Sequence, residues 1–109
     1  MTILDADAGY VVVINTFSVD PDKAEDLLKV LSETTEQTIG KLPGFVSANF
    51  HVAKDRKYVT NYAQWSSEAA LDAMMSDPAS QEQLKKVGAI ANRADPILYE
   101  LRKTYGPGE

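Results

Sequence analysis

A chain of 109 residues, 44% hydrophobic and 25% charged, is long enough for one domain with its own core and too apolar to remain disordered. Its formal charge is −5 with eleven Lys and Arg spread along the sequence, so no basic stripe exists to neutralise a phosphate backbone, and nucleic acid is excluded as a natural partner. The absence of Cys removes disulfides, thiolate nucleophiles and thiolate-held clusters, and no apolar run approaches the roughly 18 residues of a membrane span.

Residues 1–10 are acidic and lack the basic and apolar regions of a signal peptide, so a cytoplasmic location is expected, with no membrane partner. Residues 10–17 are β-branched and apolar and predict a first strand. Because strand side chains alternate, Val11, Val13, Asn15 and Phe17 share one face, which leaves a single amide in an apolar row. Asp20-Pro21 predicts a helix start with Asp20 as cap; Leu27, Leu28 and Leu31 recur at helical spacing to about Ile39, where Gly40 and Pro43 end the run.

Residues 44–52 alternate again, setting Val46, Ala48, Phe50 and Val52 against Phe45, Ser47, Asn49 and His51. The polar turn Lys54-Asp55-Arg56 then predicts a hairpin into a third strand over residues 57–65. On that strand Asn61, Ala63 and Trp65 look one way, while Thr60, Tyr62 and Gln64 look the other. Ser66 and Ser67 can cap a helix carrying Ala70, Leu71, Met74 and Met75. Asp77-Pro78 restarts a helix with Leu84, Val87 and Ile90, Asp95-Pro96 is expected to end it, and residues 97–105 predict the last strand.

This order is β-α-β-β-α-β with the second helix broken near Asp77, an α+β, ferredoxin-like pattern with an antiparallel sheet. It makes one domain over residues 1–109 with an ordered core at about 10–105. The first and third strands form the central pair of such a sheet, which brings Asn15 beside the row from Asn61 to Trp65. Two carboxamides and an indole N–H among apolar neighbours need hydrogen-bond partners if buried, and a bound small molecule is one way to supply them. The stripe Leu71, Met74, Met75 and Leu84 suits a core and equally the wall of a pocket for an aromatic ligand.

Other chemistries lack their residues. One His, His51, cannot build a usual metal site and reads as a surface or interface strand residue. No Gly-rich phosphate loop follows a strand and opens a helix, and no Ser sits in a nucleophile elbow. Asp22, Glu25 and Asp26 fall on the first turns of a helix, where they complement its dipole.

The run Leu42-Pro43-Gly44-Phe45, the run Ser47-Ala48-Asn49-Phe50-His51 and above all Asn61-Tyr62-Ala63-Gln64-Trp65-Ser66-Ser67-Glu68 resemble the antibiotic biosynthesis monooxygenase (ABM) superfamily from Tyr10 to about Tyr105. The last run is similar to that of cofactor-free, quinone-forming anthrone oxygenases of aromatic polyketide pathways. This resemblance implies a dimeric α+β barrel formed by a homodimer, no metal or organic cofactor, and oxidation of an anthrone-type phenol by O2. It assigns Asn15, Asn61 and Trp65 as catalytic donors, with Phe17, Phe50, Leu71, Met74, Met75 and Leu84 against the substrate. Some members carry Tyr at the positions of Phe50 and Leu71, and an Arg near Leu84 is replaced by Lys85. Haem-degrading members need a His on the helix after Trp65, and this chain has none between Ser66 and Arg93. The alternative to an enzyme is a non-catalytic or cyclase-like module that binds a polyketide in the same pocket.

Overall fold

The computed structural model describes residues 2–109. Strand β1 (Val11–Ser18) is followed by helix α1 (Ala24–Gln37), the hairpin β2 (Phe45–Val52) and β3 (Tyr58–Trp65), helices α2 (Glu68–Ser76) and α3 (Pro78–Gly88), and strand β4 (Arg93–Glu100). The strands form one four-stranded sheet in the order β2-β3-β1-β4, antiparallel at each pairing. This is the expected ferredoxin-like topology with β1 and β3 central. Within one chain the sheet is open, with β2 and β4 as its edges, and does not close into a barrel. No helix among the described residues is long and apolar enough to cross a membrane.

Helix starts follow their caps. Ser67 Oγ accepts from the Ala70 N–H at 3.1 Å, and Asp77 takes both the N–H and the hydroxyl of Ser80, at 2.8 and 2.9 Å. Asp20 does not cap. Residues Pro21–Lys23 make a 3₁₀ turn ahead of α1, and the Asp20 carboxylate instead accepts from the Asn92 side chain at 3.0 Å, which ties the start of α1 to the approach to β4.

Three further differences from the sequence reading have physical causes. First, α3 stops at Gly88 and β4 begins at Arg93, four residues ahead of the expected Ile97. Pro96 lies inside β4, where an edge strand tolerates a residue without an N–H. Second, a bulge between Phe45 and Ser47 places Phe45 opposite Trp65, so Phe45 joins the helix side of the sheet and meets the indole edge-on, centroids 5.6 Å apart. Third, the apolar residues of the helix-free face, Val12, Ile14 and Tyr62, suggest from sequence a surface covered by a second subunit, yet Val12 is already 1% exposed within one chain.

The helix side of the sheet carries two buried clusters. Phe17 and Val59 pack with Ala24, Leu27 and Leu31 of α1 and with Val87 of α3. Ala63 and Trp65 pack with Leu71 of α2, flanked by Val11, Val13 and Met74. Gly44 joins β2 to α2 through its carbonyl, which accepts from the Ser66 N–H at 2.8 Å. Its φ is +86°, and a Cβ there would lie 2.3 Å from the Ala70 Cβ.

Gly44→Ala is therefore expected to lower the unfolding free energy by about 2–4 kcal/mol, because the left-handed backbone and the clash with α2 act together. Urea denaturation checks this, and a loss below about 0.5 kcal/mol would mean that α2 is not held against this turn.

Candidate active site

The antiparallel register of β1 and β3 pairs Asn15 directly with Asn61. Such partners on one face have Cβ atoms about 4.5–5.5 Å apart, so the two carboxamides are immediate neighbours. Pairing of the outer strands extends this into a row across the helix side of the sheet, running Phe50, Asn61, Asn15, Pro96. The row lies between Val59 and Phe17 on one side and Ala63 and Val13 on the other, which belong to separate clusters. The amides thus occupy the seam between the two apolar packing units.

Their hydrogen bonding differs. The Asn61 Oδ1 accepts from the Asn49 backbone N–H at 3.2 Å, which fixes the plane of that carboxamide on its β2 side and leaves the Nδ2 group as a donor. The Asn15 Oδ1 is buried and has no partner among the described residues. An acceptor desolvated in this way carries a cost that a ligand donor can remove.

Asn15 also lines a cavity of about 340 Å³, together with Phe17, Leu84, Val87, Gly88 and Ala91. This volume falls at the lower end of small-molecule sites. Asn92, Arg93 and Ala94 complete its wall and are exposed at the rim. The Arg93 Nε donates to Asp95 at 3.0 Å there.

Of the residues assigned from sequence, Asn15, Phe17 and Leu84 meet at this cavity. Phe50 borders Asn61 on the β2 side and packs against the α1 cluster. Trp65 shares the face but stands four residues along β3 from Asn61, about 13 Å of strand, and is 2% exposed against Phe45 and Leu71. Trp65 and Asn61 do not line the cavity. Met74 contributes to a separate hollow of about 480 Å³ beside Pro43 and Gly44. Met75, expected on the pocket wall, is 55% exposed, because Ala70, Leu71 and Met74 take the inward side of α2.

The cavity wall from Val87 to Ala94 was not assigned from sequence. The signal was obscured because the helix was extended to Asp95, which hid the turn that carries Gly88, Ala91 and Asn92 to the mouth. A larger hollow, about 550 Å³ beside Tyr10, Glu68, Leu98 and Glu100, contains neither amide. Asn15 places the amide pair beside the smaller cavity. No cluster of three or more His, Cys, Asp or Glu able to hold a metal ion occurs among the described residues.

The bonding difference makes a testable contrast. Asn61→Leu strands the Asn49 N–H and is expected to cost about 1–3 kcal/mol, whereas Asn15→Leu removes an unpaired acceptor and should be near neutral or stabilising. Equal losses in paired denaturation curves would contradict this division.

The model of the family described as "Antibiotic biosynthesis monooxygenase" matches residues 10–86. A tetracenomycin-F1 monooxygenase of Streptomyces glaucescens is 40% identical over 94 residues, 86% of this chain and 83% of that protein. The monooxygenase ActVA-Orf6 of Streptomyces coelicolor, solved in complex with nanaomycin D, superposes with a TM-score of 0.85 at 27% identity, covering 96% of this chain and all of the other. SnoaB, a cofactor-independent oxygenase of Streptomyces nogalater, superposes with a TM-score of 0.80 at 21% identity, over 88% of this chain and 96% of its own, a likeness of fold.

Proposed function

The chain belongs to the antibiotic biosynthesis monooxygenase family, and from that membership and the paired carboxamides we propose that it is a cofactor-independent monooxygenase converting an anthrone-type polycyclic phenol to a quinone with O2. The observation that carries this reading is the Asn15–Asn61 pair, set in an apolar face with one buried acceptor unpartnered beside a cavity. The names of the relatives support it: two are monooxygenases, and one of them was solved holding a small organic ligand.

In the proposed reaction the substrate is the electron source. Loss of a proton from the benzylic carbon or its enol gives an electron-rich anion. This anion passes one electron to O2, and the resulting radical and superoxide combine at that carbon. Protonation gives a hydroperoxide, and loss of the remaining C–H proton with cleavage of the O–O bond expels water and leaves the carbonyl. One CH2 and one O2 become one C=O and one H2O. The protein's work is to hold the ring, favour the anion and keep bulk water away.

The Asn61 Nδ2 group, oriented by the Asn49 N–H, suits donation to the substrate oxygens. The Asn15 Oδ1 suits a phenolic hydroxyl, and Trp65 acts as a second donor at the far end of the same face. Phe17, Phe50, Leu71, Met74 and Leu84 supply apolar surface around these groups.

The reading includes a homodimer. Ile97, Leu98 and Tyr99 on the edge strand β4 are each roughly half exposed, and an apolar edge of this kind calls for cover. A second copy laid on the open sheet would complete the dimeric α+β barrel.

Metal-free protein given dithranol is expected to accelerate oxygen uptake and quinone absorbance together, with Asn61→Ala lowering the rate by about 10²-fold and Trp65→Phe by a smaller factor. Binding of dithranol without oxygen uptake would identify a polyketide-binding module instead. Light scattering at micromolar concentration is expected to give twice the chain mass, and a single-chain mass would contradict the dimer.

A further inference from the structure

Glycine in a helix has two common structural reasons, a left-handed backbone or a neighbour too close for a Cβ. Gly88, the last residue of α3, has neither. Its φ lies outside the positive range in which Gly9, Gly44 and Gly108 are found, and a Cβ built on it meets nothing within 4 Å. Gly44 shows the contrast, since there both reasons apply. Gly88 is exposed at the end of α3, and a poorer helix former than alanine stands where packing and backbone geometry would both accept a side chain.

Gly88 lines the same cavity as Asn15, Phe17 and Leu84. Leu84 is four residues earlier on α3, so the two positions stack on one face of the helix and form consecutive rungs of the cavity wall. Leu84 closes its rung with an apolar side chain, and Gly88 leaves the next one open. Ala91, one turn further on, is again small.

Resting on the reading that this cavity takes an aromatic substrate, we propose that Gly88 is the residue that sets its size limit. The open rung admits a third fused ring that a side chain at this position would exclude. The substrate class is then a flat system of at least three fused rings, with the phenolic edge at Asn15 and the distal ring lying over Gly88. Gly88 touches ligand by its backbone alone and determines specificity without chemistry.

The test compares Gly88→Ala and Gly88→Leu with the parent protein. Binding of 1,8-dihydroxyanthraquinone, which is stable to oxygen, and of two-ring 1-naphthol is measured by calorimetry, alongside thermal unfolding. Gly88→Ala is expected to melt at or above the parent temperature and to bind the three-ring quinone about tenfold more weakly. Gly88→Leu should weaken it by about 100-fold, with 1-naphthol affinity changed less than about twofold in both variants. Three-ring binding unchanged in Gly88→Leu, or equal losses for both ring sizes, overturns the size limit while leaving the oxygenase reading intact. Absence of quinone binding by the parent protein overturns the cavity assignment and this proposal together. Quinone binding with the expected size dependence but no oxygen uptake on dithranol upholds the size limit and removes the oxygenase reading.

Discussion

The antiparallel register between β1 and β3 is the constraint on which the rest of the molecule depends. A shift of one residue would turn Asn15 or Asn61 to the helix-free face and send Trp65 or Phe17 out of the clusters they anchor. The register is held by that apolar cost: Phe17 opposite Val59 at one end and Val11 opposite Trp65 at the other belong to separately packed units. With both ends fixed, the polar pair between them has no freedom to slip. A site placed on the two central strands of a sheet is more rigid than one built from loops.

The two amides are held in different ways. Asn61 is tied into the β2–β3 ladder through the Asn49 N–H, so it contributes to the sheet as well as to the site. The Asn15 Oδ1 accepts no hydrogen bond from the described residues, and the neighbours of Asn15 at the cavity are apolar apart from the rim. On the helix-free face the corresponding polar groups largely satisfy one another: Ser47 donates to the Gln64 side chain at 2.8 Å, and Asn49 donates to the Tyr62 carbonyl at 2.8 Å. The buried Gln64 Nε2 on that face and the Thr34 Oγ1 of α1 also lack partners, but neither residue lines the three cavities described above, whereas Asn15 does. An uncompensated acceptor fits a group kept for a ligand better than one kept for stability.

Much of this was legible in the residues. Alternation in β1 and β3 assigned Asn15, Asn61 and Trp65 to one face, and the paired Asp-Pro and Ser-Ser signals found the starts of α2 and α3. The errors share a cause, since each is a tertiary effect that overrides a local rule. Phe45 reversed its face because a bulge adds one residue to β2. Pro96 marked a break locally but sits on an edge strand where no ladder donor is needed. Asp20 had the chemistry of a cap but is drawn to Asn92, 72 positions away. The cavity wall at Gly88 and Ala91 followed the misplaced end of α3, and Met75 depended on a helix rotation that the spacing of Leu71, Met74 and Met75 leaves open.

In the proposed function the Asn15 and Asn61 side chains jointly hold an aromatic ligand. Side-chain amide resonances in a ¹⁵N-labelled sample titrated with 1,8-dihydroxyanthraquinone test it most directly, because the chain has few carboxamides and each has a distinct environment. The NH2 signals of Asn15 and Asn61 are expected to shift together with saturation, while that of Asn49, committed to Ser47 and the Tyr62 carbonyl, stays in place. Saturable binding that leaves Asn15 and Asn61 unmoved would contradict it.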